Sequence, residues 1–259
     1  MSGHSSLFDL DGQHVMVVGG TGGIGGEIAA ACHAFGAKVS ITGRQQDRCD
    51  EAAARISGDC SRVVGAEMDA TKADSIAASF EVAEAALGSV TVLVNSAGTQ
   101  IEEPATDVLE ESWDTVMDIN FKGGFLLSQA AAHSMIAQGH GGSIIHITSV
   151  RSNLGIRRGY AAYVGSKGGL GILIKQLASE WAEHGIRVNG IAPTFIRTPL
   201  VDRYLNDPDF YNALVSRIPM GRVGETEDLA GLAVFLASPS SSFVTGQNIF
   251  VDGGVTACQ

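Results

Sequence analysis

The chain has 259 residues and a formal net charge of −11, with 45% hydrophobic and 17% charged residues. This composition is that of a folded protein and excludes disorder, and its acidity disfavours a nucleic-acid partner because like charges repel. No stretch approaches the roughly 18 uninterrupted apolar residues of a membrane span, and residues 1–11 lack the Lys or Arg that begins a signal peptide. We therefore expect a cytoplasmic protein.

The numbers and positions of the glycines and cysteines further restrict the class of protein. The 33 glycines stand in short clusters between apolar runs, which is typical of tight turns at the ends of regular elements. The four cysteines form no CxxC motif and no Cys/His cluster, so we expect free thiols and no metal site. They are Cys32, Cys49, Cys60 and Cys258.

Short β-branched runs alternate with longer amphipathic stretches along the chain. Runs such as residues 15–18 are apolar on both faces, as a parallel sheet covered by helices on both sides requires. Between the runs lie helical stripes, among them Ile24, Ile28, Ala31 and Phe35. The pattern predicts an α/β protein with a Rossmann-like, doubly wound, seven-stranded parallel sheet in one domain over residues 1–259. The predicted strands are 14–19, 38–42, 62–67, 91–95, 143–148, 187–191 and 247–251.

The first predicted strand runs directly into a glycine-rich turn, GGTGGIG, at residues 19–25. Glycines there allow a sharp turn, a close approach of the backbone to a pyrophosphate, and close packing of the next helix on the sheet. The N-terminus of that helix would offer unpaired N–H groups to phosphates. A purely structural turn is the alternative, but its position at the start of the alternation favours nucleotide binding.

Further motifs follow in an order that resembles the short-chain dehydrogenase/reductase family. The spacing GxxxGxG at residues 19–25 resembles that family's turn, and residues 163–167, YVGSK, resemble its YxxxK motif. NSAG at 95–98 resembles NNAG with Ser96 for the second Asn, and PTFIRT at 193–198 resembles PGxxxT with Thr194 for Gly. Val18 stands where the family often has Thr, and residues 244–254 resemble its C-terminal ending. The likeness covers about residues 9–254, and it is nearest to 3-oxoacyl-ACP reductase-like and gluconate 5-dehydrogenase-like members.

Tyr163 and Lys167 lie four apart on a predicted helix, so both side chains emerge from one face. A nearby ammonium favours the phenolate form of a tyrosine and draws its pKa toward neutral pH. The resemblance implies that Tyr163 is the general acid/base, and that Lys167 lowers its pKa and holds the nicotinamide ribose. It also implies that Ser149 binds the substrate oxygen, and that Asn120 kinks its helix and anchors a water leading to Lys167. A surface Tyr–Lys pair, a loop-capping Ser and a buried structural Asn are the alternatives.

Cofactor choice is expected at the end of the second strand. The family's usual carboxylate for an NAD ribose falls at Gly43 and is missing, whereas Arg44 and Arg48 follow and suit a 2′-phosphate. We therefore expect NADP(H) over NAD(H), with a solvated Arg44 as the alternative. The cofactor contacts implied by the resemblance are Gly19, Thr21, Gly22, Gly23, Ile24, Gly25, Arg44, Asp69 (near the adenine), Asn95, Ala97, Gly98, Tyr163, Lys167, Pro193, Thr194, Ile196 and Thr198.

Substrate contacts are expected from two segments. Residues 194–224 should form a lid, in which Phe195 and other apolar residues line the site or pack on one another. The segment between Ser149 and Tyr163 carries three arginines and no acid, which favours an anionic substrate. The alternative is that these arginines face solvent or pair with acids elsewhere. They are Arg151, Arg157 and Arg158.

These features predict an NADP-preferring enzyme that interconverts a carbonyl and a secondary alcohol by hydride transfer. The alternative from another class is a non-catalytic sensor of nicotinamide nucleotides on the same fold. The epimerase and dehydratase branch shares Tyr and Lys but has another glycine spacing and a further C-terminal domain. The helix that carries Tyr163 is apolar nearly all round, which favours pairing with a second copy over a merely well-covered core helix. The resemblance implies a dimer or a tetramer, and we expect a homotetramer.

Overall fold

A computed structural model describes residues 4–58, 61–199 and 201–258. Within them, seven parallel strands form one sheet in the order β3-β2-β1-β4-β5-β6-β7. The strands are β1 His14–Val18, β2 Lys38–Gly43, β3 Val63–Glu67, β4 Val92–Asn95, β5 Gly142–Ile147, β6 Ile186–Pro193 and β7 Asn248–Val251. The predicted fold class is confirmed, and each predicted strand matches an observed one to within one or two residues at either end.

Helices cover both faces of the sheet, because each crossover between parallel strands returns the chain over one face. They are α1 Gly23–Ala34, α2 Gln46–Ile56, α3 Ala73–Leu87, α4 Glu110–Met117, α5 Gly123–Gln138, α6 Ala161–Trp181, α7 Asp202–Leu205, α8 Pro208–Val215 and α9 Glu227–Ala237. No helix in the described part of the chain combines the length and apolarity needed to cross a membrane.

Two apolar cores result, one on each face of the sheet. One core joins residues of β1, β2 and β4 to α1 and α9, and the other joins the opposite face to α3, α5 and α6. The strand order reverses between β1 and β4, so a crevice opens at the carboxyl ends of these two strands. The fold therefore places the turns after β1 and β4 side by side.

The predicted stripe of α1 is wrong at one position. The helix ends at Ala34, and Phe35 is 49% exposed beyond it. The buried face consists of Gly25, Ile28, Ala29 and Cys32, because small residues let this helix approach the sheet closely.

Residues 194–224 carry the short helices α7 and α8 and have a small core of their own. Leu205, Ile218 and Val223 are buried there, and Phe195 and Tyr211 pack against them. Phe195 and Tyr204 also line the crevice. The two interpretations of this segment, an apolar wall and a self-packed unit, therefore both hold. The predicted free thiol Cys60 lies outside the described residues, and Cys32, Cys49 and Cys258 are free.

Candidate active site

A crevice with an open mouth lies at the carboxyl edge of the sheet. The loops after β1, β4, β5 and β6 all contribute to its walls. Among its lining residues are Ile24, Gly98, Pro193, Thr194, Ile196 and Thr198.

Helix α6 brings Tyr163 and Lys167 into this crevice from its first two turns. Lys167 is 4% exposed, and its Nζ donates a hydrogen bond of 2.8 Å to the carbonyl of Ile147 at the end of β5. The same Nζ lies 5.9 Å from the centroid of the Tyr163 ring. Burial lowers the pKa of Lys167 to about 8. The pair is therefore inside the crevice and not on the surface.

Ser149 lies two residues after β5, beside the phenol of Tyr163. Its Oγ accepts the N–H of Arg151 at 3.1 Å, so it caps the short turn Val150–Ser152. Burial raises the pKa of Tyr163, whereas the hydroxyl of Ser149 and the charge of Arg151 act in the opposite direction. Ser149 thus has both a capping contact and a place beside the phenol.

Asn120 lies in a π-helical turn, Asp118–Lys122, between α4 and α5. Its Oδ1 accepts the N–H of Thr99 at 2.8 Å, and its Nδ2 donates to the carbonyl of Thr99 at 2.8 Å and to Oγ of Ser166 at 3.0 Å. The kink implied by the resemblance takes the form of this wider turn. Because both amide hydrogens bond within the protein, the side chain ties the loop after β4 to α6.

The glycine turn has the geometry of a phosphate cradle. Gly19 and Gly23 have φ values of +75° and +55°, which disfavour any other residue. A Cβ on Gly25 would overlap the carbonyl oxygen of Gly19, so α1 approaches β1 as closely as a backbone can. Among the described residues, no side chain caps the first turn of α1 at Gly22, so its N–H groups are open to a phosphate. These residues fit the pyrophosphate of a dinucleotide.

The loop after β4 is held by a buried chain of hydrogen bonds that the sequence did not reveal. Asn95 Oδ1 accepts the N–H of Ala97 at 3.1 Å, and its Nδ2 lies 3.2 Å from Nδ1 of His146. Nε2 of His146 lies 2.9 Å from Oγ of Ser128. Burial, followed by the charge of Lys167, lowers the pKa of His146 to about 3, so the imidazole is neutral. The sequence feature that could have indicated this hydrogen-bonded chain is the histidine within the otherwise apolar run of β5.

A second opening beside the glycine turn suits the adenosine end of a dinucleotide. It is lined by Gly19, Thr21, Gly22, Gly23 and Ile24 together with Arg48 and Arg55. Nη2 of Arg55 donates to the carbonyl of Thr21 at 3.0 Å. Arg44 is exposed at the end of β2 and is not among the described lining residues.

Asp69, which the resemblance places at the adenine, is held by its own loop. It accepts the N–H and the hydroxyl of Thr71 at 3.0 and 2.7 Å, and its carboxylate lies 3.2 Å from Nζ of Lys72. The bonds from Thr71 hold the pKa of Asp69 below its usual value.

The three arginines of the segment after β5 have three different environments. Arg151 lines the crevice half-buried, and its Nη1 donates to the carbonyl of Gly155 at 2.8 Å. No carboxylate within the described residues pairs with it, and burial lowers its pKa, with a smaller contribution from Arg217. Arg158 also lines the crevice but pairs with Glu102 at 2.7 Å, and Arg157 is exposed outside the lining.

A glycine cradle for a dinucleotide thus lies beside a crevice that is lined by Ser149, Tyr163 and Lys167 together. This combination defines a nicotinamide-dependent oxidoreductase, because the cofactor transfers hydride while the side chains bind the carbonyl oxygen and move the proton.

Comparison with known proteins gives the family. The profile described as Enoyl-(Acyl carrier protein) reductase matches residues 19–256. Gluconate 5-dehydrogenase of Gluconobacter oxydans (strain 621H) is 37% identical over 253 residues, covering 98% of each chain. The 5-keto-D-gluconate 5-reductase of Escherichia coli (strain K12) is 35% identical and covers 97% of this chain and 98% of its own. The crystal structure of a gluconate 5-dehydrogenase from Burkholderia cenocepacia J2315 in complex with NADP and tartrate superposes with a TM-score of 0.93 at 36% identity, covering 98% of this chain and 99% of that one.

The chain therefore belongs to the short-chain dehydrogenase/reductase family, as its motifs predicted. It is an NAD(P)-dependent oxidoreductase that interconverts a carbonyl and a secondary alcohol. The comparisons give no support to the alternative of a non-catalytic sensor.

Proposed function

We propose that the enzyme interconverts a keto group and a secondary alcohol on a small hydroxylated acid, with NADP(H) as cofactor and Tyr163 as general acid/base. The observation that carries this proposal is one crevice lined by Ser149, Tyr163, Lys167 and Arg151. Among the described residues, no carboxylate pairs with Arg151. The first three supply proton transfer to an oxygen, and the fourth supplies a cation for the substrate.

Proton transfer follows from the environments of the three side chains. Burial keeps the phenol of Tyr163 protonated, so in reduction it can donate to a carbonyl oxygen that the hydroxyl of Ser149 also binds. Lys167, held by Ile147, keeps a cation against the ring and stabilises the phenolate left behind. In oxidation the same phenolate accepts the proton. When bound, the nicotinamide supplies or accepts the hydride.

NADP(H) is favoured by the arginines after β2. Gly43 provides no carboxylate to repel a 2′-phosphate, and a Cβ at this position would lie 3.0 Å from Cγ2 of Thr21. Arg48 on α2 lines the opening at the adenosine end, and Arg44 lies in the short connection between β2 and α2. A solved relative contains NADP. We propose that both arginines bind the 2′-phosphate.

The substrate class is favoured by Arg151 and by the relatives. Two similar enzymes are named for gluconate and for 5-keto-D-gluconate, and the solved gluconate 5-dehydrogenase of Burkholderia cenocepacia is in complex with tartrate. Arg151 lies beside Tyr163, so a carboxylate bound to its guanidinium would bring a carbon chain of a few atoms to the phenol. We propose that residues 194–224 act as the lid over this substrate, with Phe195 in its wall.

The test is a panel of substrates combined with a single hydroxyl deletion. Purified enzyme is assayed with NADPH and NADH on keto derivatives of sugar acids, on other keto acids, on acyl thioesters and on neutral ketones. Tyr163→Phe should lower kcat by about 10²- to 10⁴-fold while the Kd for NADPH stays unchanged. The matched control is Tyr211→Phe, which removes a hydroxyl from the small core of residues 194–224. Full turnover by Tyr163→Phe would refute the role of Tyr163.

We also propose a homotetramer. Trp113, Phe125 and Ile172 are 41%, 37% and 66% exposed on α4, α5 and α6. Apolar side chains on neighbouring helices suit pairing with a second copy. Light scattering should give a mass near four times the 26.9 kDa of one chain. A mass near that of one chain would contradict the proposal.

A further inference from the structure

Arg158 contacts both walls of the crevice. On one side its Nε and Nη2 donate to Oε1 and Oε2 of Glu102, each at 2.7 Å, and Oε2 also accepts the hydroxyl of Tyr160 at 2.9 Å. The hydrogen bonds to Glu102 raise the pKa of Arg158. A two-bond pairing of guanidinium with carboxylate fixes the plane of the guanidinium as well as its position. Arg158 is therefore held in one orientation by the body of the protein.

Two rings from residues 194–224 lie against that guanidinium. Its Cζ is 5.4 Å from the ring centroid of Tyr204 on α7 and 5.8 Å from that of Phe210 on α8. The two rings also contact each other, with centroids 5.6 Å apart. These distances lie within the cation–π range of about 6 Å. Tyr204 and Phe210 thus rest on a cation that belongs to the opposite wall.

The segment that carries Arg158 is itself rigidly placed beside the catalytic tyrosine. The N–H of Glu103 donates to the carbonyl of Gly159 at 2.8 Å, and a Cβ on Gly159 would overlap the carbonyl of Glu103. The ring of Tyr160 packs edge-on against Tyr163, with centroids 6.2 Å apart. The segment that positions Arg158 is therefore packed directly against the wall of the crevice that contains the Tyr163 phenol.

We propose that Arg158 is a positioning residue and not a substrate ligand. Oriented by Glu102, it seats Tyr204 and Phe210 over the crevice, so that substrate enters and product leaves when these rings lift off the guanidinium. Because residues 194–224 have their own small core, α7 and α8 can move as a unit when this contact opens. The proposal rests on the proposed function for its effect on turnover, but the contact itself can be measured without substrate.

The first experiment is hydrogen exchange of the full-length enzyme with NADPH and no substrate. Amide hydrogens in peptides spanning residues 201–216 should exchange about tenfold faster in Arg158→Ala and in Tyr204→Leu than in wild type. We expect this factor because each variant loses a cation–π contact. Arg158→Lys should behave like Arg158→Ala. A lysine keeps the charge, but it cannot form the two-bond pairing with Glu102 or stack a planar group on the aromatic rings. Arg157→Ala is the matched control, since it removes the neighbouring exposed arginine, and it should leave these peptides unchanged.

The second experiment separates positioning from substrate binding. Arg158→Lys should raise KM by a similar factor for a keto acid and for its methyl ester, because the lid is loosened for both. A rise confined to the acid would make Arg158 a ligand and overturn the proposal, as would unchanged exchange at residues 201–216 in both Arg158→Lys and Tyr204→Leu. If wild-type enzyme turned over none of the substrates, the proposed function would fail, and the exchange data would still decide the role of Arg158.

Discussion

Arg151 is the residue whose replacement tests the substrate class most directly. Its guanidinium is half-buried beside Tyr163 and pairs with no carboxylate among the described residues. A hydrogen bond to a charged group contributes about 1.5–3 kcal/mol, which corresponds to about 10- to 150-fold in affinity. Because Arg151 is partly open to solvent, we expect the lower end. Arg151→Gln should raise KM for a keto acid about tenfold.

The assay compares substrates that differ only in charge. Steady-state reduction is measured on a keto acid and on its methyl ester, with NADPH saturating. The ester should show nearly the same KM in Arg151→Gln as in wild type, because its carbonyl chemistry is unchanged. Arg157→Gln, which removes an equal charge from an exposed position outside the crevice, should affect neither substrate.

The pH profile provides a second, independent measurement. The charge of Arg151 lowers the pKa of Tyr163, so its removal should raise that pKa. In the oxidation direction the phenolate is the active form, and the rising limb of kcat/KM should therefore move to higher pH in Arg151→Gln. Equal changes in KM for acid and ester, together with an unmoved limb, would refute the assignment of Arg151 as the anion site.

Three further outcomes concern the glycine turn, the buried histidine and the cofactor arginines. Gly25→Ala should destabilise the fold by about 1–3 kcal/mol in chemical denaturation, because its Cβ overlaps a backbone oxygen, whereas Gly26→Ala makes only an ordinary contact and should be neutral or stabilising. His146→Gln should reduce the loss of stability that occurs as the pH falls below 6.5. Burial lowers the pKa of the folded-state imidazole to about 3, so the contribution of His146 to stability is complete above pH 6.5 and is lost progressively as the pH falls toward 3. Arg44→Gln with Arg48→Gln should raise the Kd for NADPH about tenfold or more and leave that for NADH unchanged.

Each outcome has a control or a contrary result. His133→Gln, at an exposed position, should keep the wild-type slope of stability against pH, and the same slope in His146→Gln would show that the buried imidazole is not responsible. Equal stability of the two glycine variants would show that α1 can shift away from β1. Equal weakening of NADPH and NADH binding would place the two arginines away from the 2′-phosphate.

The sheet and the placement of Tyr163 and Lys167 on one helix face were predictable because their signals are local. A buried parallel strand is apolar on both faces, and the runs in β1 and β4 show this pattern directly. Tyr163 and Lys167 share a helix face by spacing alone, and the glycine turn follows its strand without a gap. Phe35 was misplaced because a helical stripe says nothing about where the helix ends.

The arginines show what residue order does not contain. No acid lies between Ser149 and Tyr163, so all three arginines looked equally available. Glu102, which is 56 residues from Arg158, neutralises that arginine through a loop that follows a different strand. His146, Asn95 and Ser128 form one hydrogen-bonded chain from three separate elements. The order of the strands in the sheet, and not the distance along the sequence, determines which hydrogen-bonding partners meet.

The sequence by itself determined the alternating elements, the dinucleotide turn and the Tyr–Lys pair, because each depends on residues within a few positions of one another. Only the tertiary structure decided which cation faces the substrate space. Packing the loop after β4 against the segment after β5 gives Arg158 a carboxylate, and residues 194–224 add two aromatic rings. Arg151 lies beside the phenol with no carboxylate partner among the described residues. A charge acquires its role from what desolvates and neutralises it, and those neighbours come from distant parts of the chain.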